Sequence, residues 1–116
     1  MSEYTIYHNP RCSKSREALS YLENNQLKYR VVRYLDEALT FEDLQEVLDK
    51  LDIEAIELVR TNEKIWKEQF ADKELDEDEI IFSMLEYPQL IQRPIIVLND
   101  RAVIGRPTNQ IEELRK

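Results

Sequence analysis

The chain has 116 residues, 42% apolar and 34% charged, with a net charge of −8, which is one ordinary soluble domain with enough apolar residues for a single core. The acidity argues against nonspecific nucleic-acid binding, which needs basic surface to neutralise phosphates. No apolar run reaches membrane-spanning length and no basic-then-apolar signal opens the chain, so a cytoplasmic protein, with no membrane partner, is expected.

Residues 4–8 alternate as a strand, and residues 13–24 repeat as a helix with Ala18, Leu19 and Leu22 on one face. Tyr29 to Tyr34 reads as a second strand, so the first three elements predict a parallel βαβ unit with a right-handed crossover. Thr40 is a good N-cap for a helix through Leu51, whose apolar face carries Phe41, Leu44, Val47, Leu48 and Leu51. A short helical turn is predicted around Ile56 to Val59. One helix is predicted to contain Ile65, Trp66 and Phe70, and another Ile80, Ile81, Met84 and Leu85, stopping before Pro88. The six carboxylates within residues 72–79 read as a solvated loop and helix start.

Pro94 to Leu98 predicts a strand, Asn99-Asp100 a tight turn, and Ala102 to Ile104 its antiparallel partner. A short helix carrying Ile111 and Leu114 closes the chain. The order is βαβ, a helical block over approximately residues 40–87, then ββα. The fold class is therefore α/β: a thioredoxin-like βαβ–ββα core with a helical insertion between the second and third strands, in a single domain over 1–116. No composition break or repeat suggests otherwise, and nothing requires an oligomer, so a monomer is expected.

Cys12 is the sole cysteine and His8 the sole histidine, which excludes an internal disulfide and a cysteine-based zinc site and leaves no metal site in prospect. Cys12 falls at the strand-to-helix turn, at the positive end of a helix dipole, where the thiolate is favoured. His8, Arg11, Lys14 and Arg16 can add positive charge, and residues 8–16 contain no acid. A dithiol oxidoreductase would need a second cysteine at position 15, which is Ser. A phosphatase loop would need Arg at position 18, which is Ala. A monothiol mechanism completed by an external thiol remains. Ser15, one helical turn on, could donate a hydrogen bond to the thiolate, and His8 could support it by charge or a hydrogen bond. Arg60, Arg93 and Arg106 each stand at a predicted element end. Arg93 precedes Pro94 and Arg106 ends the partner strand, so both could reach one pocket, and their planar forks suit a tetrahedral oxyanion.

His8-Asn9-Pro10-Arg11-Cys12-Ser13-Lys14-Ser15-Arg16, Arg60, Arg93-Pro94 and Ile104-Gly105-Arg106-Pro107, in this order along essentially the whole chain, resemble the glutaredoxin-linked arsenate reductase family. The resemblance implies a thioredoxin-like fold with a helical insertion. It implies that Cys12 attacks arsenate, that Arg60, Arg93 and Arg106 hold the oxyanion, and that His8 and Ser15 help lower the Cys12 pKa. Glutathione, as co-substrate, would attack the adduct, glutaredoxin would resolve the mixed disulfide, and no metal or bound cofactor is expected. Arg11 and Lys14 make this segment more basic than is common in the best-known members, which would either tighten anion binding or narrow access for glutathione. Two other readings use the same residues: an Spx-like redox-sensing regulator that binds RNA polymerase, and a monothiol redox protein acting on glutathione mixed disulfides.

Overall fold

The computed structural model describes residues 3–115. They form two compact units, one from residues 3–37 and 93–115 and the other spanning Ala38–Gln92.

The first unit is a four-stranded sheet in the order β2-β1-β3-β4. It comprises β1 (Tyr4–Tyr7), α1 (Ser13–Asn24), β2 (Tyr29–Val32), β3 (Ile95–Leu98), β4 (Arg101–Ile104) and a C-terminal 3₁₀ helix (Thr108–Arg115). β1 pairs with β2 in parallel, Ile6 opposite Val31. It pairs with β3 antiparallel, Ile6 opposite Ile96. β3 and β4 form the antiparallel hairpin, with Asn99 in the left-handed conformation at φ 57°, a backbone region Asn tolerates better than most residues. The strand order and directions are those of a thioredoxin-like fold. Tyr4 and Ile6 alternate inward from β1, Ala18 and Leu22 come from α1, and Ile96, Ile111 and Leu114 complete one buried cluster. β3 is buried at Ile95, Ile96 and Val97 in succession, which explains its continuous apolar run where β1 alternates.

The second unit holds α2 (Phe41–Leu51), α3 (Ala55–Leu58), α4 (Lys64–Gln69), α5 (Glu77–Glu86) and a 3₁₀ turn, Pro88–Leu90. Thr40 caps α2 as expected, with Asp43 returning the bond in a capping box. The acidic run has a structural use: Asp76 caps α5 in a second capping box. Glu77, Asp78 and Glu79 then sit in the first turn, where the helix dipole favours negative charge. Glu77 also accepts the Ala55 N–H that opens α3. Val59 bridges Ile91, flanked by Arg60 N–H to Leu90 O at 2.7 Å and Gln92 N–H to Leu58 O at 2.8 Å. This clip joins segments too short to carry a strand pattern.

Several boundaries differ from the sequence reading. β1 stops at Tyr7 and β2 at Val32, although the His8 N–H still donates to Val32 O at 2.8 Å. β3 begins after Pro94, which has no N–H to give the ladder. Phe41 and Leu51 lie at the half-buried margin of α2 rather than in its buried face of Leu44, Val47 and Leu48. Phe41 instead packs against the exposed Phe82, ring centroids 5.1 Å apart.

Gly105, the only glycine in the sequence, is required by close approach. A Cβ there would lie 2.7 Å from Ile96 Cδ1 and 3.2 Å from Pro94 Cγ. Ile96 is fully buried, so it has little room to yield. Gly105→Ala should cost about 1–3 kcal/mol by overpacking, read as a lower urea midpoint with an unchanged slope.

Candidate active site

Cys12 occupies the N-cap position of α1 with extended backbone (φ −94°, ψ 123°). The chain reaches it through a short turn in which Cys12 N–H donates to Asn9 O at 3.0 Å and Arg11 N–H donates to Asn9 Oδ1 at 3.0 Å. The second bond is an Asx turn, which the Asn-Pro pair supplies. Arg16 Nη1 braces the same turn by donating to Pro10 O at 3.0 Å.

The thiol makes no conventional side-chain cap bond, yet several donors act on the sulfur. Partial burial by itself pushes the Cys12 pKa up. The backbone N–H of Ser15, the Arg93 guanidinium and the backbone N–H of Lys14 outweigh it, and the net shift is downward. Hydrogen bonds and positive charge that favour the anion are what lower a thiol pKa. Cys12 is free and half-buried, so an activated sulfur remains accessible.

The expected role of Ser15 changes in one respect. It is its backbone N–H that favours the thiolate, while its hydroxyl is engaged elsewhere. Ser15 Oγ lies 2.6 Å from His8 Nδ1 and accepts the Asn9 N–H at 3.0 Å. His8 and Ser15 are both buried, at 5% and 0% exposure, so the pair ties the end of β1 to the first turn of α1. Burial, followed by the charges of Arg33 and Arg16, lowers the His8 pKa from its ordinary value. His8 is therefore neutral at neutral pH and adds no cation; the contribution of charge expected from it is absent because a buried imidazole beside two guanidiniums resists protonation. Lys14 spends its ammonium on Glu17, at 3.5 Å on the exposed face of α1.

Of the three arginines, Arg93 is brought to Cys12, and the Arg93-Pro94 bond is cis. Its Nε is buried and makes no hydrogen bond, leaving a donor for a further acceptor. Arg106 lies exposed just past β4 and also precedes a cis proline. Arg60 belongs to the Ala38–Gln92 unit, where its Nη1 pairs with Glu63 Oε2 at 3.3 Å. Asn9 went unremarked as a site residue in the sequence; its position before Pro10 was the available signal. Among the described residues no cluster of three or more His, Cys, Asp or Glu could hold a metal ion.

The fold and this turn define a thioredoxin-like protein with one activated thiol and an arginine beside it. Residues 7–114 match the model of the ArsC family, and the chain belongs to that family. It is 45% identical to the uncharacterized protein YfgD of Escherichia coli over 94% of this chain and 93% of that one. It is 39% identical to an arsenate reductase of Neisseria meningitidis over 97% of both chains. The solved structure of an arsenate reductase from Vibrio cholerae superposes with a TM-score of 0.92 at 39% identity, covering 97% of each chain.

The Ser15 hydroxyl satisfies two buried partners at once, so Ser15→Ala should leave both without a bond. A loss of about 1–3 kcal/mol in unfolding free energy is expected, measured by urea denaturation.

Proposed function

We propose that this protein reduces arsenate to arsenite through a covalent Cys12 intermediate. One observation carries the reading: a lone thiol at the α1 N-terminus whose pKa is lowered by backbone N–H groups and the Arg93 guanidinium. The arsenate reductases of Neisseria meningitidis and Vibrio cholerae support it by similarity along the whole chain.

In the first step the Cys12 thiolate attacks arsenic and displaces an oxygen as water, giving a sulfur–As(V) adduct. Arg93 donates to the oxyanion, and its unpaired Nε is the group such an oxygen would satisfy. Arg106 completes the oxyanion set in this proposal. Glutathione thiolate then attacks the Cys12 sulfur. The S–As bond breaks with its electron pair moving to arsenic, so As(V) becomes As(III), arsenite leaves, and a Cys12–glutathione disulfide forms. A glutaredoxin thiolate takes the glutathionyl group and returns Cys12 as thiolate. The sequence needs an outside thiol because position 15, where a resolving cysteine would stand, is the buried Ser15. His8 and Ser15 act through the turn, holding the Ser15 N–H toward the sulfur.

Arsenate added to the reduced protein with glutathione, glutaredoxin, glutathione reductase and NADPH should drive NADPH consumption. Cys12→Ser should abolish it. Arg93→Ala should lower kcat/KM for arsenate about 10- to 100-fold, the scale of a lost charge-assisted hydrogen bond. Absence of any arsenate-dependent rate in the folded, reduced protein would reject the proposal.

A further inference from the structure

A cavity of about 220 Å³ opens beside the catalytic turn, between His8 to Arg11 on one side and Arg33, Leu35 and Asp36 on the other. Its charges are specific. Arg11 and Arg33 supply two guanidiniums, and Asp36 supplies one carboxylate. His8 stays neutral, in part because the Arg33 charge reaches it.

Arg33 Nε and Asp36 Oδ2 pair at 3.1 Å with both side chains more than half exposed, at 56% and 61%. Such a pair contributes little to stability and exchanges readily for a ligand. Its carboxylate would repel a bare oxyanion, so the cavity does not duplicate the arsenate site. It suits a group with a carboxylate next to an ammonium. Leu35, 43% exposed, offers apolar contact for methylenes attached to that head. The His8–Arg11 wall is fixed by the Asn9 bonds to Arg11 and Cys12, and it belongs to the same turn that ends in Cys12.

We propose that this cavity binds the γ-glutamyl end of glutathione, with Arg33 and Arg11 taking its α-carboxylate and Asp36 its α-ammonium. The assignment rests on glutathione being the co-substrate. It turns the extra basic residue Arg11 from an obstacle into a contact.

The test needs no arsenate. Cys12 is first converted to its mixed disulfide with thionitrobenzoate. An added thiolate attacks the Cys12 sulfur, the old S–S bond breaks, and the coloured aryl thiolate leaves with the electron pair. Glutathione is compared with cysteinylglycine, which lacks the γ-glutamyl group, at equal thiolate concentration and below saturation. With each rate divided by the same thiol's rate on a small aryl disulfide, which removes the intrinsic difference in nucleophilicity, glutathione should react about tenfold faster, the scale of one charge-assisted hydrogen bond. Arg33→Gln and Asp36→Asn should each remove most of that advantage while leaving the cysteinylglycine rate unchanged, and Arg33→Lys should retain part of it. The unchanged cysteinylglycine rate also reports an intact Cys12 turn. Equal normalised rates for the two thiols on the unsubstituted protein, or an advantage that survives Arg33→Gln, would overturn the assignment. Because the readout is disulfide exchange, it can fail while arsenate turnover stands, and the reverse.

Discussion

The contact on which the site depends is the buried bond between His8 and Ser15, 2.6 Å from Nδ1 to Oγ. It links the residue that follows β1 to the first turn of α1, and the Asn9 N–H shares the same hydroxyl. With those ends fixed, the intervening turn has one economical course. Asn9 closes it from the inside, Arg16 braces it from the outside, and Cys12 is left at the N-cap facing the N–H groups of α1. A neutral histidine suits this task better than a charged one, because the neutral ring needs no counter-ion in a buried position.

Charge in this protein is sorted by use. Carboxylates go to helix starts: Asp43, Asp76, Glu77 and Glu79 cap or neutralise the first turns of the helical unit. Cations go to the turn, but only some act on sulfur. Arg93 reaches Cys12, Arg16 holds Pro10, and Lys14 is paired with Glu17. A net charge of −8 thus coexists with a turn, residues 8–16, that has no acid to compete for an incoming anion.

The sheet and the helices were legible because their apolar periods are clean. Tyr4 and Ile6 alternate, Ala18 and Leu22 repeat, and Thr40 announces α2. What escaped was set by contacts distant in sequence. The Val59–Ile91 clip has no pattern of its own, and the C-terminal segment winds as 3₁₀, a distinction the apolar positions Ile111 and Leu114 do not encode. At the site, residue types identified Cys12, Ser15, His8, Arg60, Arg93 and Arg106 as a group, but not which arginine acts on the sulfur or which atom does what. Backbone N–H groups leave no mark in a sequence, so the Ser15 hydroxyl was credited with what its amide does. Burial likewise decides that His8 is neutral, and burial depends on the whole fold.

The central claim is that the Cys12 pKa is held below that of an ordinary thiol because the α1 N–H groups and Arg93 outweigh its burial. The direct measurement is thiolate absorption near 240 nm against pH, for the unsubstituted protein and for Arg93→Gln. The account predicts a midpoint below the free-thiol value of ~8.5, with Arg93→Gln shifted upward toward it. A midpoint at or above that value, unmoved by Arg93→Gln, would contradict it.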